Sequence, residues 1–385
     1  MRHGGDIEEI LVVGGGLAGT SAACALAQAG RPVLLIERDE TPRHKVCGEF
    51  LSIEAQTYLT HMGVDLDALG ASHISSVKLY HGRTSVEVDL PFTARGLSRK
   101  VLDETLLQRA SLLGARLIRG PSVRTISTSG ATIQANVADL GEIRAKTLFL
   151  ATGKHDVRGA KRHSSGTRND LIGFKAHYDL AEEQRNSLGG KVEVVLFAGG
   201  YAGLQLIEGG TANLCLVVTR HCFEMVGKSW QNLLEHIGRE TPHLSDRLEG
   251  ATSNFERPLS IFQIPYGYIH APDHAEPQGL FRLGDQAGVI PSYTGDGMAI
   301  ALHSGCLAAS TYLGLAPSSS AFHSQLRNDI SRQIRLASLF YEAGRRTAGQ
   351  QAILQIFRAW PTAMRYVAAL TRLRNDTVQR ALIVS

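Results

Sequence analysis

A parallel α/β domain, interrupted by an antiparallel sheet and followed by helices, is the fold class this 385-residue sequence predicts. Three observations predict it. The apolar run Ile10-Leu11-Val12-Val13 leads straight into Gly14-Gly15-Gly16-Leu17-Ala18-Gly19. Near the other end, Leu280–Leu283 leads into Gly284-Asp285, followed by Pro291 and Gly295-Asp296-Gly297-Met298. Between them lies a long stretch of strand-like runs that alternate apolar and polar residues.

The elements follow in order. Ile10–Val13 reads as a buried parallel strand. Thr20–Ala29 is small and Ala-rich, a helix able to pack closely on it, and Gly30 ends that helix. Val33–Ile36 is a second buried strand, ending at Glu37. Together they form a strand–helix–strand unit with its glycines at the first turn. A polar loop then leads through Cys47-Gly48-Glu49 to a helix from about Ile53. Residues 77–90 alternate as a hairpin outside the parallel sheet. Ser98-Arg99-Lys100 opens a helix through Ala110. A strand at Arg116–Ile118, a meander to Ile143 and a buried strand at Thr147–Leu150 follow.

The runs Leu171–Tyr178, Val192–Phe197, Leu204–Ile207 and Asn213–Val218 read as an antiparallel sheet walling a pocket, with a helix at Trp230–Ile237. Gly199-Gly200-Tyr201-Ala202-Gly203 has spaced glycines but falls between strands, so it predicts no second dinucleotide site. Met298–Leu313 and the remaining chain are helical. The expected division is a discontinuous nucleotide domain (1–75, 98–160 and 271–320), a substrate domain (76–97 and 161–270) and a C-terminal helical region (321–385).

Composition narrows the class. Hydrophobic content of 43% and charged content of 20% fit a soluble globular protein. A net charge of +4 is too small to argue for nucleic acid. The charge is uneven, however. Residues 321–385 carry ten Arg, no Lys and three acids, giving 10 − 3 = +7. Such basic helices read first as a solvated face, and otherwise can face an acidic partner, an anionic substrate or a membrane surface as a peripheral contact. The five cysteines show no metal spacing, so no metal is expected. The chain enters a strand by Ile10 without a signal peptide, and no run of 18 apolar residues occurs, so a reducing cytoplasm is expected.

Gly14, Gly16 and Gly19 fit G-x-G-x-x-G. The first allows a tight turn, the second lets a phosphate approach the backbone, and the third lets helix and strand pack closely. Glu37, at the next strand end, can accept hydrogen bonds from both adenosine ribose hydroxyls and would repel a 2′-phosphate. FAD or NAD therefore fits, and NADP does not.

Further motifs give a more specific likeness. Leu148-Phe149-Leu150-Ala151-Thr152-Gly153, Gly284-Asp285-Gln286-Ala287-Gly288 with Pro291 and Gly295-Asp296-Gly297, and Arg43-His44-Lys45-Val46-Cys47-Gly48-Glu49 together resemble the flavoprotein hydroxylase and geranylgeranyl reductase group, related to flavin-dependent halogenases. The resemblance implies a Rossmann-type, glutathione-reductase-like FAD-binding domain. It implies FAD contacts from Gly14, Gly16, Leu17, Ala18, Gly19, Glu37, Arg38, Lys45, Cys47, Gly48, Arg99, Val123, Asp285, Pro291, Gly295, Gly297 and Met298. Asp285 would receive the ribityl hydroxyls, and the helix after Gly297 would point its N-terminus at the flavin pyrimidine. Cys47 would be catalytic, holding substrate or donating a proton. Tyr201, Leu204, Tyr266 and Tyr293 would border the substrate. His155, His163 and His177 read as ordinary surface or core histidines.

Two departures matter. Hydroxylases of the group usually carry His where Gly288 stands and a second Pro where Ser292 stands. Cys47-Gly48 favours reductase-like hydride transfer from reduced flavin to a C=C bond of an apolar small molecule. The tyrosine-bordered pocket favours the alternative, a monooxygenase (hydroxylase or epoxidase) acting on a polyketide, aromatic or isoprenoid through a flavin hydroperoxide. A halogenase or a non-catalytic flavin binder is less favoured. With one dinucleotide fingerprint, the electron donor is NAD(P)H binding transiently or a separate reductase or ferredoxin.

Overall fold

The computed structural model describes residues 7–163, 168–271 and 276–382. Two sheets organise them. The first runs in the order Arg116–Arg119, Val33–Glu37, Ile7–Val13, Gly141–Leu150, Thr132–Val137, Val123–Ser129, and Leu280–Arg282 also pairs with Gly141–Leu150. Its central pairings are parallel, as unbroken apolar strands buried on both faces require. The last two strands form the expected antiparallel meander. One face is covered by the helices Leu17–Gln28, Arg99–Leu112 and Gly297–Leu313. Every residue of Leu17–Ala27 is buried, because only small side chains let a helix lie this close to strand and helix at once.

The second sheet runs in the order Thr252–Ser253, Leu171–Asp179, Ala212–Thr219, Gly200–Leu206, Gly190–Phe197, Ser72–His81, Thr84–Gly96, Phe50–Leu51, with Leu259–Phe262 also paired to Leu171–Asp179. It is antiparallel except at one junction, where Gly190–Phe197 and Ser72–His81 run parallel. The 75/76 boundary expected from sequence falls inside Ser72–His81, and Phe50–Leu51 joins this sheet too. The segment after Cys47 thus ties the two sheets together.

The glycine-spaced stretch at 199–203 is not a connection between strands. Gly200–Leu206 is itself a strand, and a Cβ at Gly200 would lie 2.1 Å from the Val217 carbonyl oxygen of its neighbour. These glycines serve close strand packing. The helices Ser319–Ala343, Thr347–Ala359, Pro361–Leu370 and Asn375–Leu382 complete the chain. Among the described residues, no helix is long and apolar enough to cross a membrane.

Candidate functional site

The first turn is built as its spacing dictates. Gly14 sits at φ +107°, and a Cβ there would meet the Ala151 carbonyl oxygen at 2.4 Å; at Gly19 it would meet the Gly14 oxygen at 2.0 Å. Gly16 is different. A Cβ on it would reach nothing nearer than Arg99 Nη2 at 3.5 Å and Lys45 Nζ at 4.0 Å. Gly16 also caps the helix without a side-chain acceptor, so the first N–H groups of that helix point into space bordered by two cations. That is the environment an anionic pyrophosphate needs. Glu37 is buried beside it, accepting from the Gly15 N–H at 2.5 Å and the Asp39 N–H at 3.0 Å. Arg38 is exposed at the same strand end, and Val123 joins the apolar cluster of Ile36 and Ile118. The residues present therefore fit FAD: a phosphate cradle, a ribose carboxylate and a free helix N-terminus in one line.

Arg99, the first residue of its helix, grips Asp103 through two guanidinium nitrogens at 2.7 and 3.0 Å, and Lys45 reaches the same carboxylate at 2.9 Å. Burial pushes the Asp103 carboxyl up, but Arg99 and Lys45 outweigh it and hold it below its usual value. Open space also lies over Gly48 and Gly153, where a Cβ would meet nothing within 4 Å. Asp285, expected to receive the ribityl hydroxyls, is itself engaged by two cations. Lys154 donates to its carboxylate at 2.8 Å, and Arg162 donates to its backbone oxygen at 2.9 Å. Lys154 directly follows the Ala-Thr-Gly strand end, and that position was its only signal.

Pro291 leads into a short 3-10 turn that ends at Gly295, φ +71°, and the long helix begins at Gly297 with Met298 buried. Asp296 is fully buried, accepting from the Ser52 hydroxyl and the Leu373 N–H, both at 3.2 Å. Burial pushes its carboxyl up to about 7, Arg372 opposing and Glu54 adding to the shift. Folded Asp296 therefore favours the proton. Its stabilising share is complete below the unfolded value of 3.8 and is lost as pH rises to about 7. Asp296→Asn is expected to gain stability over the parent progressively across that window, by on the order of 3 kcal/mol at its upper end. Thermal melts at several pH values check this.

A buried polar network holds the segment 47–49. Glu49 is fully buried at φ +59°, and its carboxylate takes the Lys175 ammonium, His177 Nε2 at 3.1 Å and the Arg99 N–H at 2.7 Å. Gln205 donates to the Glu49 backbone oxygen at 2.8 Å, and Asn213 donates to the Gly48 oxygen at 2.8 Å. Burial pushes the Glu49 carboxyl up, yet the His177 hydrogen bond and the Lys175 charge hold it below its usual value. Cys47 accepts the Glu49 N–H at 3.4 Å and is only half-buried. His177 is thus not an ordinary core histidine, whereas His155 and His163 are exposed. Lys175, Gln205 and Asn213 carried no motif.

Beyond this network the same sheet face turns apolar. Leu171, Val217, Ile264, Val289, Tyr201, Tyr266 and Tyr268 cluster with Tyr341 from the helix Ser319–Ala343, and Tyr293 packs against them. The Tyr201 and Tyr266 hydroxyls lie 2.9 Å apart, and each is 2.5 Å from Ser292 Oγ. Burial and Tyr266 push the Tyr201 phenol well above its usual value. Leu204 is a correction. It packs on the opposite face of the sheet, with Phe174 and Leu233, because strand residues alternate and Leu204 is an odd number of positions from Tyr201. Gly288 has a structural reason: a Cβ there would lie 2.5 Å from Ile330 Cδ1, so a histidine has no room.

Residues 8–166 match the FAD binding domain family. A menaquinone reductase of Mycobacterium tuberculosis is 31% identical over 177 residues, 44% of this chain and 43% of that protein's length. The protein FixC of Escherichia coli O157:H7 is 26% identical over 338 residues, 80% of this chain and 77% of its own. The crystal structure of the halogenase PltM with phloroglucinol and FAD superposes with a TM-score of 0.70 at 15% identity, covering 97% of this chain and 90% of that one. That last likeness establishes the shared fold.

Proposed function

We propose, for a chain that belongs to the FAD-dependent oxidoreductase superfamily and takes FAD as its cofactor, that it reduces a carbon–carbon double bond of an apolar, isoprenoid-class substrate. Reduced FAD supplies the hydride when bound. The chain's own residues supply the rest. Gly16, Lys45 and Arg99 hold the pyrophosphate, Glu37 the ribose, and Lys154 with Asp285 the ribityl side. Leu171, Val217 and the tyrosine ring faces bury the substrate away from water.

The observation that carries this reading is Ser292. Where hydroxylases of the group usually place a second proline, this chain places a hydroxyl that bonds both Tyr201 and Tyr266. Three hydroxyls meet in an otherwise apolar wall. Tyr201 stays protonated there, so it can hand a proton to the carbon left electron-rich by hydride addition and be recharged through Ser292 and Tyr266. Cys47 is the other candidate donor. The mycobacterial menaquinone reductase makes an isoprenoid quinone the first substrate to test.

Tyr201→Phe is expected to keep its FAD and lose roughly a hundred-fold in turnover. Cys47→Ser is expected to lose far less. Product assays on the two variants, with FAD content measured in parallel, decide between the donors. A larger loss at Cys47 would move the proton source to the thiol. The second reading, oxygenation, draws on the burial of the same tyrosines, since Tyr201 and Tyr266 exclude water.

A further inference from the structure

The helices Thr347–Ala359 and Pro361–Leu370 bury one side only. Gln350, Leu354 and Phe357 face inward, and Leu354 and Phe357 pack with Leu79, Val194 and Leu196 of the second sheet. The outward side is apolar as well. Ile356 is 54% exposed, Trp360 58%, Tyr366 62% and Leu370 44%. Along the chain they recur at helical spacing with Ala352, Ala359 and Ala369, which are also exposed. The Trp360 and Tyr366 rings lie 6.2 Å apart, so the two helices present one patch.

The charge along these helices has one sign. Between Glu342 and Asp376 the chain has no acidic residue and six arginines. Arg345, Arg372 and Arg374 are paired with Glu342, Glu54 and Asp376, which leaves Arg346, Arg358 and Arg365, all exposed, around the patch. Bulky aliphatic and aromatic side chains flanked by arginines, without acids, match what lies in the boundary between lipid headgroups and acyl chains. Nucleic acid would use the arginines and leave Ile356 and Leu370 in water.

The position has a consequence. Leu196 packs both against the Leu354–Phe357 cluster and against the tyrosine cluster. Gln350 donates to the Phe197 oxygen at 2.9 Å. Leu196 pairs with Tyr201 and shares its sheet face, so the two helices pack beside the tyrosine cluster with the patch on their outer side. We infer that these two helices dock the protein on an anionic lipid bilayer, with the tyrosine cluster beside the surface from which an apolar substrate would enter. The docking stands by itself; its purpose rests on the apolar-substrate reading.

The test uses the full, FAD-loaded chain and sucrose-filled vesicles of phosphatidylcholine, with and without phosphatidylglycerol. Co-sedimentation with the anionic vesicles, weakened by salt, is expected. Arg358→Gln with Arg365→Gln should cost roughly thirty-fold in affinity at about 1 kcal/mol per arginine. Trp360→Ser with Tyr366→Ser should cost at least as much. Unchanged flavin absorbance and melting temperature show that the variants are folded. If a pair unfolds, a Trp230→Phe chain leaves Trp360 as the only tryptophan, and its emission should shift to the blue on anionic vesicles. Equal binding to both vesicle types, no binding, or binding that ignores both pairs overturns the inference; in the Trp230→Phe chain, an unmoved emission does so. Anionic-vesicle binding by a protein that fails to reduce any isoprenoid would instead sink the proposed reaction and leave the docking intact.

Discussion

Glu49→Ala is expected to destabilise the protein by about 3–5 kcal/mol, the cost of leaving a buried charge without its partner. Lys175 is fully buried, and Glu49 is its carboxylate. His177 Nε2 and the Arg99 N–H lose the same acceptor, so three donors are orphaned together. The backbone at Glu49 is left-handed, which a non-glycine residue adopts only when its surroundings insist. Freed of the carboxylate, the segment from Cys47 to Glu49 should relax and FAD should bind loosely. Glu49→Ala combined with Lys175→Met should recover much of the stability, since the unpaired charge is then gone. Denaturant unfolding of the parent, the single variant and the double variant measures this. If the single variant is as stable as the parent, the network is not what holds the segment.

Gly16→Val should yield a folded apoprotein. Gly16 has an extended backbone that any residue adopts, and a Cβ there faces open space, so the helix and strand should form as before. The side chain would occupy the position a pyrophosphate needs. Two charge-assisted hydrogen bonds to backbone N–H groups, at about 1.5–3 kcal/mol each, would be lost, a drop in FAD affinity of about a hundred-fold or more. Gly19→Ala makes the contrast. Its Cβ would sit 2.0 Å from the Gly14 oxygen, so it should damage the fold itself. Flavin fluorescence titration and circular dichroism on the two variants separate a cofactor cradle from a packing glycine. Gly16→Val that binds FAD normally would move the pyrophosphate elsewhere.

The parts of this site that depend on backbone were legible in the sequence. Gly14 and Gly19 declare themselves because only glycine satisfies a left-handed turn and a close helix–strand contact at that spacing, and Gly16 because it falls where a phosphate must approach the backbone. Glu37 follows from the strand end it occupies. Side chains that meet only through tertiary pairing were not legible. Lys175, Gln205 and Asn213 come from three strands, and nothing local distinguishes them from surface residues until the sheet register faces them toward Glu49. Tyr341 lies in a helix without a motif and joins the tyrosine cluster only because Ser319–Ala343 packs there. Leu204 could have been placed by counting parity from Tyr201, and the resemblance drew it to the wrong face. Ser292 was noticed as a departure, but its hydroxyl acquires meaning only beside Tyr201 and Tyr266.

The most direct test of the account is anaerobic single turnover. The FAD-loaded protein is photoreduced under argon and mixed with a short-chain isoprenoid naphthoquinone or geranylgeranyl lipid in detergent. The account predicts that the flavin reoxidises without oxygen and that the product, after any quinol has returned to the quinone in air, keeps two additional hydrogens on its isoprenoid chain. A flavin that stays reduced until air is admitted, with product that has instead gained an oxygen atom, would contradict it and assign the site to oxygenation.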